Sequence, residues 1–209
     1  MLSFELFFSP DACSRVTLIA LEEIGCPYTA TPVLLSRGEH KKPDFLRINP
    51  KGKVPALLVD GELLTENVAI LTGLAQWFPE AKLLPSVGPM EALQSLSMLA
   101  WFASGIHPYL PRLVMTQVIS DEPAAAPRIQ AMAAVMLDKQ LGLLQQKLGD
   151  QPWILGQWSL IDAYAFWVWT RIQAAPIDLS RFTQLAAHAE RISARPSVQR
   201  ALAREKAAT

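Results

Sequence analysis

The chain has 209 residues, 51% of them hydrophobic, with 19 Lys plus Arg set against 19 Asp plus Glu. Such a composition excludes a disordered chain and suits one large domain or two small ones with a substantial buried core. A formal net charge of zero argues against nucleic acid or an acidic membrane surface as the main partner, and no apolar run reaches the length of a membrane span.

The first residues, Met1-Leu2-Ser3-Phe4-Glu5-Leu6-Phe7-Phe8, lack a basic n-region, so no signal peptide is expected. Residues 3–8 predict one buried strand. Ser9-Pro10-Asp11-Ala12-Cys13-Ser14 then places a lone cysteine where the strand hands over to a helix. Helix N-termini carry partial positive charge and unpaired N–H groups, so a thiol there is expected to ionise more readily. The alternative is a cysteine used as a small packed hydrophobe. Residues 13–25 put Val16, Ile19, Ala20 and Ile24 on one helical face, with Gly25 as the stop. A mostly helical stretch from Cys13 to Cys26 spans roughly 18–20 Å, whereas a disulfide needs Cα atoms within about 7 Å. The two are expected to stay unpaired, in a reduced cytoplasmic protein.

Tyr28 to Leu35 predicts a second strand, broken at Pro32 and therefore at a sheet edge. Residues 37–53 hold six basic residues against Glu39 and Asp44. A ligand carboxylate could dock there, or the segment is a solvated charged loop. In Lys53-Val54-Pro55-Ala56, proline can hold the preceding bond cis and expose the Val54 backbone to an extended peptide. An ordinary trans proline opening an edge strand is the alternative. Ala56–Val59 and Glu62–Thr65 are joined by Asp60-Gly61, a strong hairpin signal. Thr65-Glu66-Asn67 opens the next helix. Its free N–H groups can hold a carboxylate and Glu66 can pair with an ammonium, unless the segment is simple capping with Thr65 at the N-cap. Val68, Ile70, Leu71, Leu74 and Trp77 are expected on that helix's buried side.

Residues 79–89, with three prolines and a glycine, read as a linker. Beyond it, residues 90–118, 127–149, 159–175, 181–194 and 197–207 show helical spacing or helix-former content. Pro108 and Pro111 are expected to kink the first of these, and His107 is either a core histidine or a site-lining one. Trp101, Trp167 and Trp169 are core or cleft wall. Ser159-x-x-Asp162 has the spacing of a capping box and a structural role is expected for it. The order is β-α-β, then β-β-α, then all helix. The expected division is residues 1–78, a linker at 79–89, and an all-helical domain at 90–209.

Cys13, the Val54-Pro55 step, Glu66 with Asn67, and the basic segment describe a small peptide with an amino-acid head, a central thiol and a terminal carboxylate. Glutathione has that shape. The chain resembles the cytosolic glutathione S-transferases along its whole length. Ser9-Pro10…Cys13-Ser14, Asp44 through Leu57, Leu64 through Ile70, Trp158 through Tyr164, and Arg195-Pro196-Ser197-Val198 carry that likeness. The resemblance implies an α/β thioredoxin-like N-terminal domain and an all-α C-terminal domain that shapes an electrophile site. Pro-x-x-Cys-Ser around Cys13 and Trp101 through His107 are similar to the bacterial beta class, and Gly38-Glu39-His40-Lys41 to phi- and theta-type enzymes.

The activity implied is addition of the glutathione thiolate to a hydrophobic electrophile, with glutathione as co-substrate and no metal. Cys13 and Ser14 are the catalytic candidates, Cys13 favoured because a thiolate is the better redox nucleophile. The glutathione-binding candidates are Ser9, His40, Lys41, Lys53, Val54, Pro55, Glu66 and Asn67, the last standing where serine or glycine is usual. Phe8, Trp101 and His107 are the electrophile-site candidates. Phe8 lies near the position where other classes have a catalytic tyrosine, so tyrosine-type activation is excluded there. Thiol–disulfide exchange through Cys13 and a non-catalytic binding module are the rival readings, and the family implies a homodimer.

Overall fold

Strand β1 (Phe4–Phe8) alternates its side chains between two buried faces, Leu6 and Phe8 on one side and Phe7 on the other. In this computed structural model, which describes residues 2–85 and 88–208, β1 lies inside a four-stranded sheet of order β2-β1-β3-β4. It runs parallel to β2 (Thr29–Pro32) and antiparallel to β3 (Ala56–Val59), which forms a hairpin with β4 (Glu62–Thr65). Asp60 and Gly61 both take positive φ, at 50° and 87°, the backbone that a two-residue hairpin turn requires. β2 is an edge strand and shorter than the predicted run to Leu35, since Pro32 ends its ladder for want of an N–H.

Helix α1 (Ser14–Ile24) is buried along most of its length and ends at Gly25 with φ 72°. The basic segment at 37–53 is structured rather than an open loop. Two 3-10 turns, Leu35–Arg37 and Glu39–Lys41, lead into α2 (Pro43–Ile48), opened by a proline that needs no N–H partner there. Phe45 of α2 anchors the segment, its ring 5.9 Å from that of Phe7, within a cluster that includes Val33, Val54 and Ala56. Helix α3 (Asn67–Trp77) follows β4. Ile70, Leu71 and Leu74 are buried, but Trp77 is 40% exposed, contrary to its predicted place on the buried side. Its ring is tilted against Phe4 at 6.1 Å, so one face is covered and the other is open.

Two compact units emerge, one of Met1–Leu84 with Ala194–Thr209 and the other of Pro85–Ser193. Helix α9 (Pro196–Ala207), which chain order assigns to the helical half, thus belongs with the sheet. Charge explains this placement. Arg200 and Arg204 each reach the Glu22 carboxylate at 2.6 Å, and Arg195 and Ser197 reach Glu23 at 2.7 Å. Val198 and Ala201 are buried between these ties.

In the other unit the predicted helix over 90–118 is interrupted. α4 (Pro89–Trp101) passes into a π-turn over Phe102–Ile106, with the His107 N–H donating to the Phe102 carbonyl, before α5 (Tyr109–Val114). The break therefore begins ahead of Pro108. α6 (Ala126–Leu148), α7 (Leu160–Ile172) and α8 (Thr183–Ser193) complete the unit. α7 is buried on nearly every face, and its Tyr164 ring stacks on Phe102 at 5.0 Å. Ser86 and Val87, part of the predicted linker, lie outside the described residues.

Candidate active site

Cys13 caps the N-terminus of α1 with its backbone already in helical geometry. Its Sγ–H donates to the Val54 carbonyl at 3.6 Å. Burial pushes the thiol up to about 12, against the main-chain N–H groups of Cys13 and Ser14 and the charge of Lys53, while Glu66 pushes the same way as burial. The expected gain in acidity is therefore reversed, because desolvation outweighs the helix end. At neutral pH Cys13 presents an S–H donor.

Ser14 is fully buried, and its Oγ donates to the Ser9 carbonyl at 3.2 Å and accepts from the Ser9 N–H at 3.1 Å. Ser9 is buried as well, its Oγ accepting from the Leu35 N–H at 3.3 Å. Both serines lock the loop that carries Cys13. Their hydroxyls are committed to protein groups.

The Val54–Pro55 bond is cis. Val54 stands beside Cys13, and among the described residues its N–H meets no protein acceptor. Glu66 is the N-cap of α3, with φ at 71°, so the cap lies one residue beyond Thr65. Its exposed carboxylate accepts from Lys51 Nζ at 2.8 Å, and Lys51 also donates to Thr65 Oγ1 at 3.0 Å. The Lys51 hydrogen bond holds Glu66 below the usual carboxylate range. Lys51 belongs to the basic segment, in Pro50-Lys51-Gly52, two residues from Lys53.

Asn67 is turned inward. Its Nδ2 donates to the Cys13 carbonyl at 2.9 Å and its Oδ1 accepts from Thr17 Oγ1 at 2.9 Å. The side chain thus joins α3 to α1, so at position 67 only the main chain is left for a ligand. Lys53 is exposed and its carbonyl accepts from Asn49 Nδ2 at 2.7 Å. His40 and Lys41 occupy the second 3-10 turn, with desolvation and the Lys41 charge holding the imidazole below its ordinary value. Gly52, at φ 58°, lies under that turn, where a Cβ would come 3.0 Å from the His40 carbonyl.

Phe8 is a core residue, 2% exposed, rather than an open ring surface. Trp101 and His107 belong to the helical unit. Trp101 Nε1 donates to Gln140 Oε1 at 2.8 Å, and the His107 ring stands edge-on to Trp167 at 4.7 Å. Ser159 and Asp162 form a reciprocal capping box on α7. Asp162 further accepts from the Ile154 N–H at 2.9 Å and meets His188 Nε2 at 2.8 Å, a buried partner that local spacing gave no means of finding. Among the described residues no three His, Cys, Asp or Glu side chains gather as a metal site, and no helix is long and apolar enough to cross a membrane.

The arrangement offers an S–H donor, a main-chain carbonyl and N–H at Val54, a helix start with a carboxylate, and a lysine. A short peptide carrying a thiol matches that series. The family model for the glutathione S-transferase N-terminal domain matches residues 12–76. Glutathione S-transferase GstA of Escherichia coli O157:H7 is 34% identical, over 96% of this chain and 98% of its own. The disulfide-bond oxidoreductase YfcG of Escherichia coli K12 is 29% identical, over 95% and 94%. A beta-class glutathione S-transferase from Sphingomonas chungbukensis superposes with a TM-score of 0.85 at 36% identity, covering 96% and 98% of the two chains. A sphingomonad glutathione S-transferase complexed with glutathione gives 0.85 at 34%, covering 97% and 98%.

Proposed function

The chain belongs to the glutathione S-transferase family, and on that premise we propose that it adds the thiolate of glutathione to a hydrophobic electrophile. The observation that carries this reading is the Cys13 S–H beside the Val54 main chain. Val54 pairs with the cysteinyl unit of glutathione, its N–H free to donate and its carbonyl to accept. The start of α3, with Glu66 and Lys51, takes the γ-glutamyl end. His40 and Lys41, with Lys53, face the glycyl carboxylate. Each is a polar group of the right sign for the part of the peptide assigned to it.

Cys13 then acts as a donor. Its thiol stays protonated at neutral pH and can turn from the Val54 carbonyl to the glutathione sulfur, which favours the thiolate form of that sulfur. The glutathione proton leaves to solvent. The sulfur's electron pair forms the new C–S bond, and the displaced pair departs with the leaving group or, on addition to an activated double bond, moves to the neighbouring atom, which takes a proton from solvent. Ser14 is a weaker candidate because its hydroxyl already serves Ser9. Trp101, His107 and apolar side chains of the helical unit hold the electrophile, and a cytoplasmic detoxifying role fits this chemistry.

A homodimer fits the exposed Met90, Leu93 and Leu96 on α4 and Met132, Val135 and Met136 on α6, which form apolar stripes at helical spacing. The likeness to YfcG gives thiol–disulfide exchange as the second reading, in which Cys13 attacks a glutathionyl disulfide. A thiol so far from ionised is a poor attacking group, which favours conjugation.

The test compares wild type, Cys13→Ala and Ser14→Ala for glutathione binding, aryl-halide conjugation and glutathionyl-disulfide reduction. Conjugation that falls in Cys13→Ala with glutathione binding kept supports the proposal. Disulfide reduction without conjugation in the wild type turns it to the second reading, and a wild type that binds no glutathione overturns both.

A further inference from the structure

Arg15, the second residue of α1, is buried, and its guanidinium spans two acids. Nη2 lies 2.7 Å from Asp11 Oδ1, in the loop that leads to Cys13, and 2.5 Å from Glu205 Oε2 of α9, to which Nε also donates at 2.9 Å. Arg15 and Glu205 each have side chains only 5% exposed, whereas Asp11 is 66% exposed. Asp11 holds φ at 61°, a left-handed backbone that a non-glycine residue keeps only when its surroundings hold it. Burial raises Glu205 above the usual carboxylate range, with the Arg15 guanidinium and the Asp11 main-chain N–H acting against it. Glu205 thus faces Arg15, whose guanidinium also grips Asp11.

We propose that Glu205, acting through Arg15 and Asp11, is a positioning residue that sets the Cys13 sulfur against the Val54 main chain. The inference rests on the reading of Cys13 as the group that faces the glutathione sulfur. Only Ala12 separates Asp11 from Cys13, so a shift of the Asp11 backbone passes directly to the start of α1. Nothing in the roles assigned to Val54, Lys51 or Glu66 depends on the clamp. Its loss therefore affects turnover and the Cys13 environment more than glutathione affinity. Arg200, which ties α9 to α1 at Glu22 instead, supplies a built-in control, since it shares the packing but not the loop.

Iodoacetamide alkylation of Cys13 is followed against pH by mass spectrometry in a Cys26→Ser background, for the parent, Glu205→Gln and Arg200→Gln. In Glu205→Gln the alkylation midpoint is expected to move toward neutral pH by at least about half a unit as the sulfur gains solvent. Aryl-halide turnover should fall roughly tenfold, with KM for glutathione within about twofold of the parent. Arg200→Gln should keep the parent midpoint even where its melting temperature falls. An unmoved midpoint in Glu205→Gln, or an equal shift in Arg200→Gln, overturns the proposal. Should Glu205→Gln fail to fold, Asp11→Asn decides the same way, since Asn accepts the left-handed backbone at an exposed site. The alkylation arm needs no glutathione, so a wild type that binds none sinks the functional reading while the clamp is still judged.

Discussion

Asn67 and Cys13 are joined by a hydrogen bond from the side-chain amide at the start of α3 to the main-chain carbonyl at the head of α1, 2.9 Å long. The same amide takes the Thr17 hydroxyl, so one buried side chain fastens two helices whose starts both face the candidate site. Asn67→Ala leaves the Cys13 carbonyl and the Thr17 hydroxyl buried without that partner. A loss of about 2–3 kcal/mol in urea unfolding is expected. Glutathione affinity measured by calorimetry should fall far less than an Asn in direct contact with the γ-glutamyl group would require.

The Lys51–Glu66 pair should behave in the opposite manner. Both side chains are more than half exposed, so solvent screening keeps their contribution to stability below about 1 kcal/mol. Lys51→Ala is expected to leave the unfolding midpoint nearly unchanged while weakening glutathione binding about tenfold. The pair also has a pH signature. Glu66 is lowered in the folded protein, so its contribution is present above the ordinary glutamate value and fades as pH falls through the lowered one. The small stability difference between wild type and Lys51→Ala, measured by urea unfolding, should shrink as pH falls below the ordinary glutamate value and disappear once it has passed the lowered one.

Asp162 sits where several donors converge, so its removal is expected to be severe. The Ser159 N–H and hydroxyl, the Ile154 N–H and His188 all meet its carboxylate. Asp162→Ala should lose about 3–5 kcal/mol, against about 1 kcal/mol for Ser159→Ala, which removes one cap alone. Thermal unfolding of the two variants separates them.

At Gly105 the constraint is space. A Cβ there would meet Trp101 Cδ1 at 2.6 Å. Gly105→Ala must push the indole off its hydrogen bond with Gln140, and a cost of about 1–3 kcal/mol is expected. A change in tryptophan fluorescence should accompany the lower melting temperature.

These residues also show where sequence reading succeeds and where it stops. Asp60-Gly61 and Ser159-x-x-Asp162 act within a few residues, so their spacing alone carried the turn and the cap. The Cys13 position at a strand-to-helix junction was legible for the same reason, and the ordered motifs around Val54 and Glu66 made the fold recognisable. The acidity of Cys13 was not. A helix end has a sign that can be read locally, whereas desolvation depends on what packs over the thiol. Asn67 with Cys13, Lys51 with Glu66, and Arg15 with Glu205 are pairings over 54, 15 and 190 positions. No periodicity announces them. Trp77 shows the limit in another form, since a helical face was correctly traced but its last member is half uncovered.

The ties between α1 and α9 bear on how the protein is made. Arg15 leaves the ribosome 190 residues ahead of Glu205, and Glu22 precedes Arg200 by 178. Until α9 emerges, α1 carries a buried-type arginine and two acids without their eventual partners, and the whole helical unit is synthesised in the interval. Only the Asp11 half of the Arg15 clamp is available to the cysteine-bearing loop until then. A chain halted before α9 would hold the sheet and the thiol without the Glu205 contact to Arg15.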